Sequence, residues 1–407
     1  MTLPARLFGE GFRIFFLAAA LFGLIAVLWW GLWLADLVAL PPSAAAPGTL
    51  HGHEMIFGYA AAAMGGFFLT AVPNWTGVQA AKHLFIASVA GIWLAGRIAT
   101  ALSGHLPPGL VAVIDLGFLP VLGAKILTQL LKRPKPQNLM FLALIALMEA
   151  GEALVQADWL GLGWGDAGRG LRLGLYAACA MIAVLGGRVT PAFTRNAMLR
   201  EGVETGLPVS RRPLEAAGIA AAIGLAIATL LDLPEPVTGA LALLAGGAQL
   251  ARLTGWRSRW SLRQPILWAL HLGWALLGLG YLLTGLAAFG IGDGFGALHV
   301  LGIGAVGGMT LAVMSRASLG HTGRALVAPR PVVLAYALIP VATLARWSAS
   351  AWPAAHDPLT LTAATLWCAA MALFLAALGP ALLGPRAITR PPVGPAPPFR
   401  PRPNVAE

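Results

Sequence analysis

The chain is a succession of apolar blocks, each about as long as a membrane-spanning helix. About 20 apolar residues in a helix cross the hydrocarbon core of a bilayer, which is roughly 30 Å thick. The sequence therefore predicts an all-α integral membrane protein, with a twelve-helix membrane domain over residues 1–384. The predicted helices are residues 14–35, 51–72, 82–102, 109–131, 137–157, 170–190, 213–231, 235–254, 265–286, 296–317, 331–350 and 358–380.

The composition also indicates a chain that lies in lipid. Hydrophobic residues make up 58% of it and charged residues 11%, whereas ordinary globular chains carry about 25% charge. With a mean hydropathy of +0.77, the chain has too little polar surface for a soluble multidomain protein. The predicted partner is the lipid bilayer. Nucleic-acid binding is excluded because no soluble domain is left to carry it.

The distribution of Lys and Arg predicts the orientation, because these residues are retained on the cytoplasmic side. With the N-terminus inside, all but four of the 27 Lys and Arg lie toward the cytoplasm. We therefore expect an even number of helices, with both termini cytoplasmic. Residues 385–407 are Pro-rich and predict a disordered cytoplasmic tail. The four outward cations are Arg97, Arg169, Arg172 and Arg346.

A weak repeat recurs every four helices. The second, sixth and tenth blocks contain "GGFFLTAVPNWTG", "GGRVTPAFTRNA" and "GGMTLAVMSRASLGHTGR". These matches favour three four-helix quasi-repeats, with the second, sixth and tenth helices around the centre. Gly pairs allow close approach of a neighbouring helix or of a flat cofactor, and both interpretations stay open.

Histidines mark the outer end of two of these helices. His51 and His53 open the second block in "HGHEMIFGY", and His299 lies at the same depth in the tenth. Facing imidazoles are the ligands of a bis-His haem, and they also suit part of a copper site. Residues i and i+2 of a helix point about 200° apart. We therefore expect His51 and His53 to do different jobs, with one of them on a haem shared with His299. The alternative is that both are polar residues at the membrane surface.

The surroundings of these histidines suit a porphyrin. In "HVLGIGAVGG" the glycines of the tenth helix leave room for a flat ring, and one face of the second helix carries mostly small residues. Arg97 and Arg346 are predicted to pair with haem propionates; snorkelling to headgroups or pairing with Glu54 or Asp357 is the alternative. The glycines are Gly302, Gly304, Gly307 and Gly308, and the face is His51, Met55, Gly58, Ala62 and Gly65.

Two further blocks carry unusual polar residues. Asp115, Pro120 and Lys125 predict that the fourth helix is kinked or lines the interior. Glu149 and Glu152 share a face of the fifth helix in "MEAGEA". Proton transfer, metal ligation and polar contacts within the bundle are all open for this pair.

Several motifs of the chain resemble those of a known family, NnrS. The resemblance rests on "HGHEMIFGYAAAAMGGFFLTAVPNWTG" at 51–77 and "MSRASLGHTGR" at 314–324, with "GGRVTPAFTRN" at 186–196 and "LHLGWA" at 270–275. It implies a multi-pass bacterial inner-membrane protein with haem b and copper, which protects against nitric oxide and nitrosative stress. It also implies that metal or its support is carried by His51, His53, His271, His299 and His321.

Other functions remain open beside this resemblance. The helix number is similar to that of haem-copper oxidases, but the sixth and seventh helices lack histidine, so the copper site of those enzymes cannot be copied. A membrane oxidoreductase acting on nitric oxide, with a quinol as donor, is one interpretation. A transporter of a metal or small anion is the alternative, although no helix looks broken at the midplane. An assembly factor for another haem enzyme is the third.

Overall fold

The computed structural model describes residues 2–387, and they form helices joined by short loops. Eleven helices of this described part are long and apolar enough to cross a membrane, so the chain is a multi-pass, all-helical membrane protein. The predicted tail from residue 388 onward lies outside the described residues. The orientation of the termini stays a prediction.

The helices follow the predicted blocks closely, usually with an extension of a few residues. The described chain is α1 (Gly11–Leu34), α2 (Pro47–Thr76), α3 (Leu84–Ala101), α4 (Pro108–Leu130), α5 (Pro136–Trp159), α6 (Ala167–Arg200), α7 (Arg212–Leu230), α8 (Glu235–Leu253), α9 (Pro265–Ala288), α10 (Gly294–His321), α11 (Arg330–Ala351) and α12 (His356–Leu383). Short helical segments also occur at Leu3–Leu7, Ser258–Ser261 and Pro353–Ala355.

The predicted count of twelve membrane spans is not confirmed, because eleven helices of the described residues are long and apolar enough to cross a membrane. The helix that is not apolar enough is α8. α8 forms at the predicted place but carries the buried polar residues Gln249 and Arg252. Arg252 donates hydrogen bonds to the Gln249 side chain and to backbone carbonyls of α6, and its guanidinium lies 4.8 Å from the Trp274 ring of α9. α8 is therefore held in the bundle by polar as well as apolar contacts.

The helices α2, α6 and α10 contact one another and are largely buried, as expected for helices near the centre of the bundle. Their Gly pairs seat side chains of neighbouring helices. A Cβ on Gly66 would lie 2.7 Å from the Phe16 ring, and Gly307 similarly faces Trp367. The Gly pairs thus serve helix packing.

Three of the helices are irregular, and each irregularity follows a charged or imidazole side chain. α2 becomes π-helical over Glu54–Ala60, directly after His53, and α10 does so over Val300–Gly307, directly after His299. The predicted kink of α4 is an interruption between Asp115 and Phe118. Pro120 has no N–H to donate to the Leu116 carbonyl, which weakens the helix at that point. π-Helical turns occur frequently at functional sites.

Candidate functional site

A cavity of about 330 Å³ opens among α1, α2, α6, α10, α11 and α12, at the end of the bundle where α2, α6 and α10 begin. Its volume falls within the roughly 300–1,000 Å³ of small-molecule and cofactor sites. The walls are mostly apolar, with two imidazoles and two guanidiniums among them. These four side chains are His51, His299, Arg172 and Arg346.

His299 is held in one orientation and one tautomer. Its Nδ1 lies 2.9 Å from the carbonyl oxygen of Phe295, one turn earlier in α10. Since a carbonyl only accepts, Nδ1 carries the proton and Nε2 keeps its lone pair. A hydrogen bond from the other ring nitrogen is the usual support of a metal-ligating histidine.

His51 is positioned on the same cavity by an aromatic stack. Its ring lies 4.6 Å from the Trp30 ring, with 19° between the two planes. The indole, which comes from α1, therefore fixes the plane of the imidazole at the cavity wall.

The prediction that small residues of α2 and α10 line the cofactor site is correct only in part. On α2, His51 and Met55 line the cavity, but Tyr59 follows instead of Gly58. The π-helical turn contains an extra residue, which moves the next wall position along by one. Gly58 faces away from the cavity, toward Phe22 and Arg97.

Of the four glycines predicted on α10, only Gly302 lies on the cavity wall. A Cβ built on Gly302 would meet no described atom within 4 Å, apart from its own helix. Gly304 and Gly308 pack against α9 and α11, and Gly307 packs against Trp367 of α12. Room for a ligand therefore exists at a single glycine of the motif.

The two cations predicted to pair with haem propionates lie at different sites. Arg346 lines the cavity, with its guanidinium 5.0 Å from the Phe295 ring, while Arg97 lies in a separate buried cluster. Arg172 of α6 is the second guanidinium that lines the cavity. Sequence analysis placed Arg172 at the right depth but assigned it no role. Its place on a helix of the repeat, level with His51 and His299, was the signal that could have identified it.

The second cluster gathers charged side chains on the other side of α2. His53 of α2, Asp115 at the interruption of α4 and Glu152 of α5 are 0%, 1% and 2% exposed. Arg97 of α3 pairs with the Asp115 carboxylate, and donates to Glu54 Oε1 at 2.9 Å. The interruption of α4 thus places a carboxylate beside His53.

The His53 ring is flanked by carboxylates. Its Nδ1 lies 3.0 Å from Glu54 Oε1, and its Nε2 lies 3.0 Å from Asp115 Oδ2 and 3.8 Å from Glu152 Oε1. Nε2 and Glu152 Oε2 nevertheless have no hydrogen-bond partner within the described chain. Among the described residues, one ligand atom each from His53, Asp115 and Glu152 lie within 4.8 Å of one another, so the three could hold a metal ion.

The other predicted metal residues lie apart from both clusters. His271 has both ring nitrogens in hydrogen bonds, at 2.9 Å from Thr194 Oγ1 and 2.9 Å from Ser258 Oγ. His321 packs on the Phe12 ring at the far end of α10. Glu149 lies one turn before Glu152 and has a buried Oε2 without a described partner.

The family model described as NnrS protein matches residues 6–386, nearly the whole chain. The chain belongs to the NnrS family. No curated protein matches the sequence.

NnrS membership fits a role in the nitric oxide response, and the buried His/Asp/Glu group is suggestive of metal binding. In this NnrS chain both candidate sites include residues of "HGHE" at positions 51–54. His51 belongs to the larger cavity, whereas His53 and Glu54 belong to the charged cluster. A short motif therefore serves two different environments.

Proposed function

We propose that this NnrS chain is a haem-binding protein of the bacterial inner membrane, which binds or redox-transforms nitric oxide at a haem b held by His51 and His299. One observation carries the proposal: two imidazoles from different helices face the same cavity, and one of them has its Nε2 lone pair free. The family membership adds the nitric oxide context.

The residues present fit a haem. Apolar side chains such as Leu175, Ile303 and Trp367 supply walls for a porphyrin, and Gly302 leaves space beside the ring. Arg172 and Arg346 supply the cations that two propionates need. When bound, the haem would supply an iron that takes up a diatomic gas or an electron.

The chain's own residues then do the positioning. The hydrogen bond to Phe295 tethers His299, whereas His51 is positioned by its stack on Trp30. Of these two imidazoles only His299 has a ring nitrogen in a hydrogen bond within the described residues, so His51 is the less constrained one. The apolar walls keep water out and raise the strength of each electrostatic contact.

A second, apolar cavity adjoins the first. A smaller cavity of about 70 Å³ lies among α1, α2, α6 and α10. Ala60, Ala178 and Val306 line both cavities, so the two adjoin. Apolar side chains dominate the smaller cavity, which suits an uncharged gas that partitions into lipid.

The test is an absorption spectrum of the purified protein, oxidised and reduced. We expect a Soret band that is lost or shifted in His299→Ala. His105→Ala is the matched control, since His105 is exposed in a loop. A protein without haem after expression with sufficient haem, or a spectrum unchanged by His299→Ala, would refute the proposal.

Transport is the second candidate, because a specific observation favours it. The sequence predicted no helix broken at the midplane, yet α4 is interrupted beside the buried charges of Asp115 and Arg97. Interrupted helices beside charged groups are typical of transporters. Uptake of a metal or small anion into proteoliposomes by haem-free protein would favour this function over the first.

A further inference from the structure

We infer that His53, Asp115 and Glu152 form a binding site for a divalent cation of the hard or borderline class, such as Mn²⁺, Fe²⁺ or Zn²⁺. The site is distinct from the His51/His299 cavity and does not depend on the haem proposed there. Two observations carry the inference: His53 Nε2 is completely buried between two carboxylates, and the buried Glu152 Oε2 has no hydrogen-bond partner among the described residues.

The separations of the ligand atoms suit one cation. A divalent ion bound at about 2.1 Å keeps neighbouring ligand atoms roughly 3.0–3.5 Å apart. His53 Nε2 lies 3.0 Å from Asp115 Oδ2 and 3.8 Å from Glu152 Oε1. The first separation already suits a shared ion, and all three ligand atoms lie within 4.8 Å of one another, so a side-chain adjustment of Glu152 would complete the arrangement.

The charges around the site also favour a divalent cation. Fully ionised, Glu54, Asp115 and Glu152 would carry three negative charges against the one positive charge of Arg97. With His53 neutral, this protonation state would have an excess of two negative charges. Unpaired charge inside a membrane protein is strongly unfavourable, and a divalent cation neutralises this excess.

Neighbouring groups hold the ligands as the partners of a metal site do. Glu54 Oε1 accepts from His53 Nδ1 at 3.0 Å, which directs the Nε2 lone pair toward the carboxylates. Gln156 Nε2 donates to Asp115 Oδ2 at 2.6 Å, and Arg97 donates to Asp115 Oδ1. The orientation of both ligands is therefore set in advance.

The ligand chemistry argues against Cu⁺ at this place. One imidazole and two carboxylates form an oxygen-rich set, whereas Cu⁺ prefers thiolate, thioether and imidazole ligands. Copper in its Cu⁺ state thus does not fit this cluster.

The experiment measures the metal content of the full-length protein in detergent. Protein stripped with a chelator is equilibrated with Mn²⁺, Zn²⁺ or Cu⁺, freed of excess metal and analysed by mass spectrometry for metals. We expect one equivalent of Mn²⁺ or Zn²⁺ in the wild type and none in Glu152→Gln. Glu54→Gln, which removes the support of His53, should bind about 10- to 100-fold more weakly.

Glu149→Gln is the matched control and should keep the cation, because Glu149 is not one of the three ligands. Haem content and thermal unfolding are measured on each variant, so loss of the fold is separated from loss of the cation. The inference is overturned if folded wild type retains no more Mn²⁺ or Zn²⁺ than Glu152→Gln does. It is overturned equally if Cu⁺ alone is retained.

Discussion

His51 and His53 are two residues apart on α2, yet His51 stacks on Trp30 while His53 Nε2 lies 3.0 Å from Asp115 Oδ2. The helix begins at Pro47, so both residues are helical and their side chains diverge by about 200°. The same turn of helix thus faces the apolar cavity on one side and the charged cluster on the other. A substitution at one histidine should leave the environment of the other intact.

The two cavity histidines should differ in their effect on haem retention. His299→Ala removes the imidazole tethered to Phe295 and should cost the protein most of its haem. His51→Ala removes the stacked imidazole and should leave haem bound, with a spectrum typical of haem held by one histidine. The measurement is the haem-to-protein ratio together with the reduced absorption spectrum. Equal loss in both variants would contradict the difference in tethering.

The cations of the cavity should contribute to haem affinity. Hydrogen bonds to a charged group contribute about 1.5–3 kcal/mol, so Arg346→Gln should weaken haem binding roughly tenfold to 100-fold. Arg172→Gln should act similarly, since Arg172 lines the same cavity. Haem transfer to apomyoglobin gives the relative affinities. Arg169→Gln is the matched control, because Arg169 pairs with Asp166 and Asp232; an equal effect there would contradict the assignment.

The main features of the fold could be predicted from local sequence. The length of each apolar block determines a helix, and residues at the start of α2 and α10 necessarily share a level of the bundle. This is why His51 and His299 were predicted to lie at the same depth. The weak repeat was also sufficient to place α2, α6 and α10 together.

The details of the site depend on contacts between distant segments, which local sequence does not contain. The π-helical turn of α2 places Tyr59 rather than Gly58 at the cavity wall. Which residues of a helix face a cavity depends on such turns, and these depend on packing against other helices. Arg97 was expected near propionates by depth alone, with pairing to Glu54 as an alternative, and the Glu54 pair is the one that forms. Its partners Asp115 and Glu152 come from α4 and α5, and their approach depends on the interruption of α4.

Arg97 should matter for stability more than for haem. Arg97→Gln leaves the carboxylates of Asp115 and Glu152 buried without their cation, and breaking such a pair costs about 3–5 kcal/mol. We expect a clearly lower unfolding temperature in detergent. Arg97→Lys keeps the charge and should recover part of the loss. An Arg97→Gln protein as stable as wild type, but poor in haem, would place Arg97 at the cofactor instead.

The junction between the two cavities should control the entry of gas. Val306 lines both cavities, so Val306→Phe should fill the space where they adjoin. Rebinding of carbon monoxide after flash photolysis should then slow several-fold, while the haem spectrum stays unchanged. Met64→Ala enlarges the smaller cavity alone and should not slow rebinding. If Val306→Phe rebinds at the wild-type rate, gas reaches the haem site from elsewhere, and the smaller cavity serves only packing.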